Sequence, residues 1–126
     1  MNHADLFRSC LEGDVFMVTL HKQVSRMEDS FALREQQSLS SEFSHSPAKH
    51  AIIDFQQLSY FTSVLLEALI QLWRVVNSRN GRMLLCELSQ IGREIIAVSH
   101  LDELWTVCET REDAMRLASA DIFPEE

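Results

Sequence analysis

The sequence holds no apolar run long enough to cross a bilayer. Its longest apolar-rich stretch, Val64 to Val76, is broken by Glu67, Gln71 and Arg74 and falls short of the roughly 20 residues that a spanning helix needs. The opening Met-Asn-His-Ala-Asp lacks a basic segment followed by an apolar one, so no secretory leader is expected. Basic residues are scarce: 11 against 19 acidic ones, a formal net charge of -8. That balance opposes attraction to a phosphate backbone or an anionic lipid surface and argues against nucleic acid and membrane as partners. Cysteine is thin as well. Cys10, Cys86 and Cys108 are odd in number, far apart and free of any CxxC spacing. They are expected to be reduced core residues of a cytoplasmic protein.

Signatures of chemistry are missing too. No GxxxxGK[ST], GxGxxG or GxSxG string occurs, so there is no phosphate cradle and no nucleophile elbow to build on. His3, His21, His45, His50 and His100 do not pair with a cysteine or acid at ligand spacing, and solvated side chains are expected in place of a metal site. Neither an enzyme nor a cofactor is indicated. What is present is an ordinary globular balance, 46% hydrophobic and 24% charged, enough for one soluble domain over residues 1–126. The acids are scattered apart from small groups such as Glu28-Asp29 and Glu125-Glu126, the pattern of a solvated surface.

Leu6–Leu11 and Val15–Leu20 read as a hairpin about Glu12-Gly13-Asp14, where glycine allows a tight turn. Val24 to Phe43 reads as a weakly amphipathic helix opened by Ser25 and Glu28 at capping-box spacing. The serine-rich Ser38–Pro47 should end that helix in an exposed loop. Ala51-Ile52-Ile53, closed by Asp54, is a buried central strand. Ser63 to Arg79 is the clearest helix, with Leu66, Leu69, Trp73 and Val76 on its apolar face and Asn80-Gly81 as its left-handed stop. Met83-Leu84-Leu85-Cys86 is a second buried strand, leading through Ser89 into a helix with Ile91, Ile95, Ile96 and Val98. Trp105 to Cys108 forms a short strand, and Thr110 starts a helix with Ala114, Leu117 and Ala118 inward. Trp73 and Trp105 are core anchors. Alternating strands and helices predict an α/β fold, a mixed sheet of about five strands begun by the hairpin, with about four helices.

Several strings carry a resemblance. Ile52-Ile53-Asp54-Phe55-Gln56-Gln57-Leu58-Ser59-Tyr60-Phe61-Thr62-Ser63-Val64-Leu65-Leu66-Glu67-Ala68-Leu69 reads as strand, loop and helix start. Asn80-Gly81-Arg82-Met83-Leu84-Leu85-Cys86-Glu87-Leu88-Ser89 reads as turn and strand, and Leu101-Asp102-Glu103-Leu104-Trp105 with Thr110-Arg111-Glu112-Asp113-Ala114 closes the order. From about Asp14 to Leu117 this order resembles the STAS domain, shared by anti-sigma factor antagonists and the cytoplasmic tails of sulfate transporters. That family commonly opens the helix with Asp-Ser-Ser-Gly-Leu. The resemblance implies a protein that binds an anti-sigma factor or related serine kinase, under control of phosphorylation at the serine pair. Its contact surface would be carried by Asp54, Gln56, Ser59, Tyr60, Thr62, Ser63, Val64, Leu65 and Glu67. In register, Thr62 stands at the aspartate, Ser63 at the first serine, Val64 at the second, which is the usual acceptor, and Leu65 at the glycine. Valine cannot take phosphate, so Ser63, and after it Thr62, are the phosphorylation candidates.

Apart from the family, a hydroxyl at a helix start accepts from the free first-turn amides, a capping role worth about 1 kcal/mol. A phosphate there would meet the positive helix end and add close to two negative charges. Capping alone and capping with regulated modification both stay open. Leu65 has two readings as well, an exposed apolar patch with Tyr60 and Phe61 or a core residue. Asp54 suits a catalytic acid by position, but fixing the next loop through backbone amides is favoured. The alternative function is a constitutive scaffold that self-associates as a homodimer or larger assembly and never meets a kinase.

Overall fold

The computed structural model describes residues 7–22, 24 and 28–123. The expected Ser25 capping position, His3 and Glu125-Glu126 lie outside them. Two six-residue strands, β1 (Phe7–Glu12) and β2 (Val15–Leu20), pair antiparallel about a two-residue turn in which Gly13 takes φ +63°. Then follow α1 (Asp29–Ser44), β3 (Ala51–Asp54), α2 (Ser63–Ser78), β4 (Met83–Cys86), α3 (Gln90–Val98), a 3-10 turn at Leu101–Glu103, β5 (Thr106–Val107) and α4 (Arg111–Ala120). The sheet order is β1-β2-β3-β4-β5, with β2 to β5 parallel. This is the α/β fold with a mixed five-stranded sheet and four helices that the alternation predicts.

Both faces of the sheet are covered, so β3 and β4 are apolar almost throughout instead of alternating. On one face Phe16, Val18, Ile53, Met83 and Leu85 meet Leu39 and Phe43 of α1, Leu65, Leu69, Leu72 and Val76 of α2, and Ile96 of α3. On the other, Val15, Met17, Ile52, Leu84 and Cys86 meet Ala114 and Ala118 of α4. All four residues of β3 are buried, which leaves its end, Asp54, as the polar terminus of a dry strand.

Several local expectations change. α1 runs through the serines to Ser44, because Leu39 and Phe43, four residues apart, both anchor in the core. Its end is gathered by Arg79, the residue after α2, which donates to the carbonyls of Ser46 (3.0 Å), Ala48 (2.8 Å) and Ser44 and lies 4.7 Å over the Phe43 ring. Leu69 and Val76 of α2 are buried as expected, but the rest of its inward face is Leu65, Ala68 and Leu72, while Leu66 and Trp73 are only partly buried. Trp105 is buried. In α3 only Gly92 and Ile96 are buried; Ile91 and Val98 are exposed, since a helix beside the short edge strand β5 has sheet beneath only a narrow stripe. Cys86 and Cys108 are buried as expected, but Cys10 is exposed. It shares a face with Met17, but α4 packs mainly over β2, β3 and β4 and meets β1 at the turn end of the hairpin, through Arg111 and Glu12.

His50 also departs from a solvated histidine. It is buried, accepts the Arg82 amide on Nδ1 (2.9 Å) and donates from Nε2 to Asp121 (2.6 Å), with the Phe123 ring in a T-shaped contact at 4.9 Å between centroids. Both ring nitrogens are thereby used, and the tautomer is the one with hydrogen on Nε2. The pair ties the left-handed residue that ends α4 to the strand entry. His50 and Lys49 hold the Asp121 carboxyl below the usual range. Asn80, and not Gly81, takes the left-handed conformation that stops α2, at φ 62°. Gly81 is needed for approach, since a Cβ there would stand 1.7 Å from the Lys49 carbonyl oxygen.

Gly81→Ala must therefore push two chain segments apart, and a loss of about 2 kcal/mol or more in denaturant unfolding is expected; an unchanged midpoint would remove that reading. Burial, with carboxylates nearby, pushes the Cys86 thiol well up and raises that of Cys108. A thiol reagent should thus modify Cys10 quickly in the native protein and reach Cys86 and Cys108 only after unfolding.

Candidate functional site

In a parallel sheet the strand carboxyl ends, where loops lead into helix starts, are the usual place for function. Here they gather the loop 55–62, the start of α2, Ser89 before α3 and Thr110 before α4. Each helix start is capped by a hydroxyl. Thr62 Oγ1 accepts from Val64 N (3.4 Å), Ser89 Oγ from Gly92 N (3.0 Å) and Thr110 Oγ1 from Asp113 N (3.0 Å). The Thr62 bond is long, so its cap belongs at the weak end of the range. Ser63 is exposed at the first helical position, outside the cap.

The loop is held from below. Asp54, 2% exposed, accepts the Gln56 amide on Oδ1 (2.8 Å) and Arg111 Nη1 on Oδ2 (3.0 Å). Arg111 reaches on with Nη2 to Glu12 at the hairpin, and the two carboxylates raise the guanidinium pKa against the opposing effect of burial. The Arg111 amide in turn donates to Glu87 Oε2 (2.8 Å), while the Glu87 backbone adopts φ 59°, a strained choice for a side-chain-bearing residue. Phe55 and Phe61 pack with ring centroids 5.2 Å apart, Leu58 is buried, and the Ser89 hydroxyl also donates to the Ser59 carbonyl (2.7 Å). Loop-fixing by Asp54, favoured over catalysis from sequence, matches this geometry.

The candidate contact residues therefore divide. Gln56, Ser59, Tyr60, Thr62, Ser63 and Glu67 are exposed around one helix start, and Val64 is half-buried beside them. Asp54 and Leu65 are buried, so neither side chain reaches the surface. The two readings of Leu65 resolve to the core, and of the suggested patch with Phe61 only Tyr60, 56% exposed, remains at the surface. Sequence reasoning passed over Arg111, Glu12 and Glu87. One signal was available: an arginine in the first turn of a helix opposes the helix dipole and calls for a carboxylate elsewhere. Among the described residues no group of three His, Cys, Asp or Glu is placed to hold a metal ion, and no helix is long and apolar enough to cross a membrane.

A mixed five-stranded sheet with three helices on one face and one on the other, and a braced hydroxyl-bearing loop at its carboxyl end, defines a small α/β domain. The chain belongs to the STAS domain family, whose model matches residues 11–114. Among solved structures it is similar to an anti-sigma-factor antagonist (STAS) domain protein from Planctomyces limnophilus, with 20% identity and a TM-score of 0.77 over 90% of this chain and 97% of that one. It is also similar to the anti-sigma factor antagonist SpoIIAA in its unphosphorylated form, with 16% identity and a TM-score of 0.71 over 94% and 99%. A chain of the stressosome, described as a signal integration and transduction hub, gives 12% identity and a TM-score of 0.75 over 90% and 96%. At these identities the likeness is one of fold. No curated protein matches by sequence.

Arg111→Ala would leave Asp54 charged and unpaired in a dry site, and a loss of roughly 3 kcal/mol is expected. Adding Asp54→Asn should restore part of it by removing the stranded charge. If the double variant is no more stable than Arg111→Ala, packing and not charge holds this corner.

Proposed function

We propose that the chain, as one STAS-like domain over residues 1–126, is a non-enzymatic cytoplasmic module that binds an anti-sigma factor or a related serine kinase in a partner-switching pathway. The observation that carries this reading is the cluster Ser59, Tyr60, Thr62, Ser63 and Glu67, all exposed around the start of α2 and in register with the family's switch segment. Gln56 and Val64 extend the contact surface, while Asp54 and Leu65 act beneath it by fixing the loop and seating the helix. Ser63 is the first phosphorylation candidate, because its hydroxyl is outside the cap. Modification of Thr62 would give up the hydrogen bond to Val64 N.

A second reading, a constitutive scaffold without a kinase, is favoured by Val64 at the usual acceptor position and by the open edge of β1, where Cys10 and Leu11 are exposed. Incubation with an anti-sigma kinase and ATP, followed by mass mapping, separates the two. Phosphate on Ser63 or Thr62, with capture of the kinase altered by Ser63→Glu, is the expected result. No phosphate, no capture of the kinase and a concentration-dependent oligomer in sedimentation would instead establish the scaffold.

A further inference from the structure

The N-terminal halves of α1 and α2 lie side by side and leave between them a cleft of about 610 Å³. Its lining follows helical spacing on both walls: positions 29, 32, 33, 36 and 37 on α1 and 63, 64, 67, 68 and 71 on α2. Ala32 and Ala68, both buried, are the small residues that leave the space. Leu33 and Val64 give it apolar walls, and Leu33 is 56% exposed, a large apolar side chain that the domain's own packing leaves in water. Among the described residues that line it, the only ionised groups are Asp29 and Glu67, both acidic, one on each helix, and none is a lysine or arginine.

From this we infer that the cleft receives an amphipathic helix of a partner protein, with apolar residues against Leu33 and Val64 and lysines or arginines flanking them toward Asp29 and Glu67. A trough between two helices with a small-residue floor accepts one apolar ridge of a third helix. Acid on both rims selects a cation on each side of that ridge. Because Ser63 and Val64 belong both to the cleft and to the helix start, the inference deepens the proposed function: it rests on a partner docking at the start of α2 and names the chemistry of what docks.

The test uses two designed peptides of roughly 18 residues, beyond the length below which isolated helices are marginal in water, one alternating leucine with lysine at helical spacing and one leucine with glutamate. Each is titrated into the isotopically labelled full chain while amide resonances are followed. The basic peptide should shift Leu33, Gln37, Val64 and Gln71, and the acidic one should not. Glu67→Lys with Asp29→Lys should weaken the basic peptide about tenfold or more, and Glu112→Lys on the opposite face should leave it unchanged. Equal binding of both peptides, shifts centred on Ile91 and Val98 of α3, or an equal effect of Glu112→Lys would overturn the inference. Failure of the kinase assay with the peptide response intact would remove the partner-switching reading and leave the cleft standing. The reverse outcome would remove only the cleft.

Discussion

The carboxylate of Asp54 is the constraint on which this end of the molecule depends. It closes a strand buried on both faces, where an unpaired charge is strongly disfavoured. Its partner, Arg111, comes from 57 residues further along the chain. That one guanidinium joins the central strand to the β-hairpin through Glu12, and the amide of the same residue joins the end of β4 to the start of α4 through Glu87. The other Asp54 oxygen turns the backbone at Gln56 into the loop. The polar surface of the loop is thus the outer layer of a charged knot whose inner layer is dry.

This arrangement explains why a hydroxyl-rich segment can be exposed without being slack. Phe55, Leu58 and Phe61 hold the loop from inside while Ser59, Tyr60, Thr62 and Ser63 face outward. The alternation of anchors and exposed groups continues into α2, where Leu65 and Leu69 are buried and Glu67 is not. A partner or an enzyme meeting this edge finds side chains already positioned, which lowers the ordering penalty on association.

The strand and helix order was legible because its signals are local: apolar runs for β3 and β4, hydroxyl caps before α3 and α4, and a glycine turn for the hairpin. Errors arose where tertiary placement decides. Nothing in the spacing of Ile91, Ile95 and Val98 says which of them the sheet covers, and Ile91 and Val98 are left exposed. The serines of α1 look like a loop until Leu39 and Phe43 are known to share one core. His50 resembles any polar-loop histidine until Arg82 and Asp121 close on it from distant segments. At the candidate site, the exposed hydroxyls were visible from sequence, whereas the Arg111 brace was not, because its two carboxylates lie 57 and 99 residues away.

The latch between His50 and Asp121 bears on where this domain can be cut. The family match stops at residue 114, within the second turn of α4. A fragment ended there would keep Arg111 and the brace on Asp54 but lose Ala118, uncovering Met17, Ile52 and Leu84 on that face. It would also leave His50 Nε2 with no acceptor in a buried position. In physical terms the unit extends at least to Asp121, so a boundary drawn from sequence similarity alone would sever the braced loop from part of the core beneath the sheet.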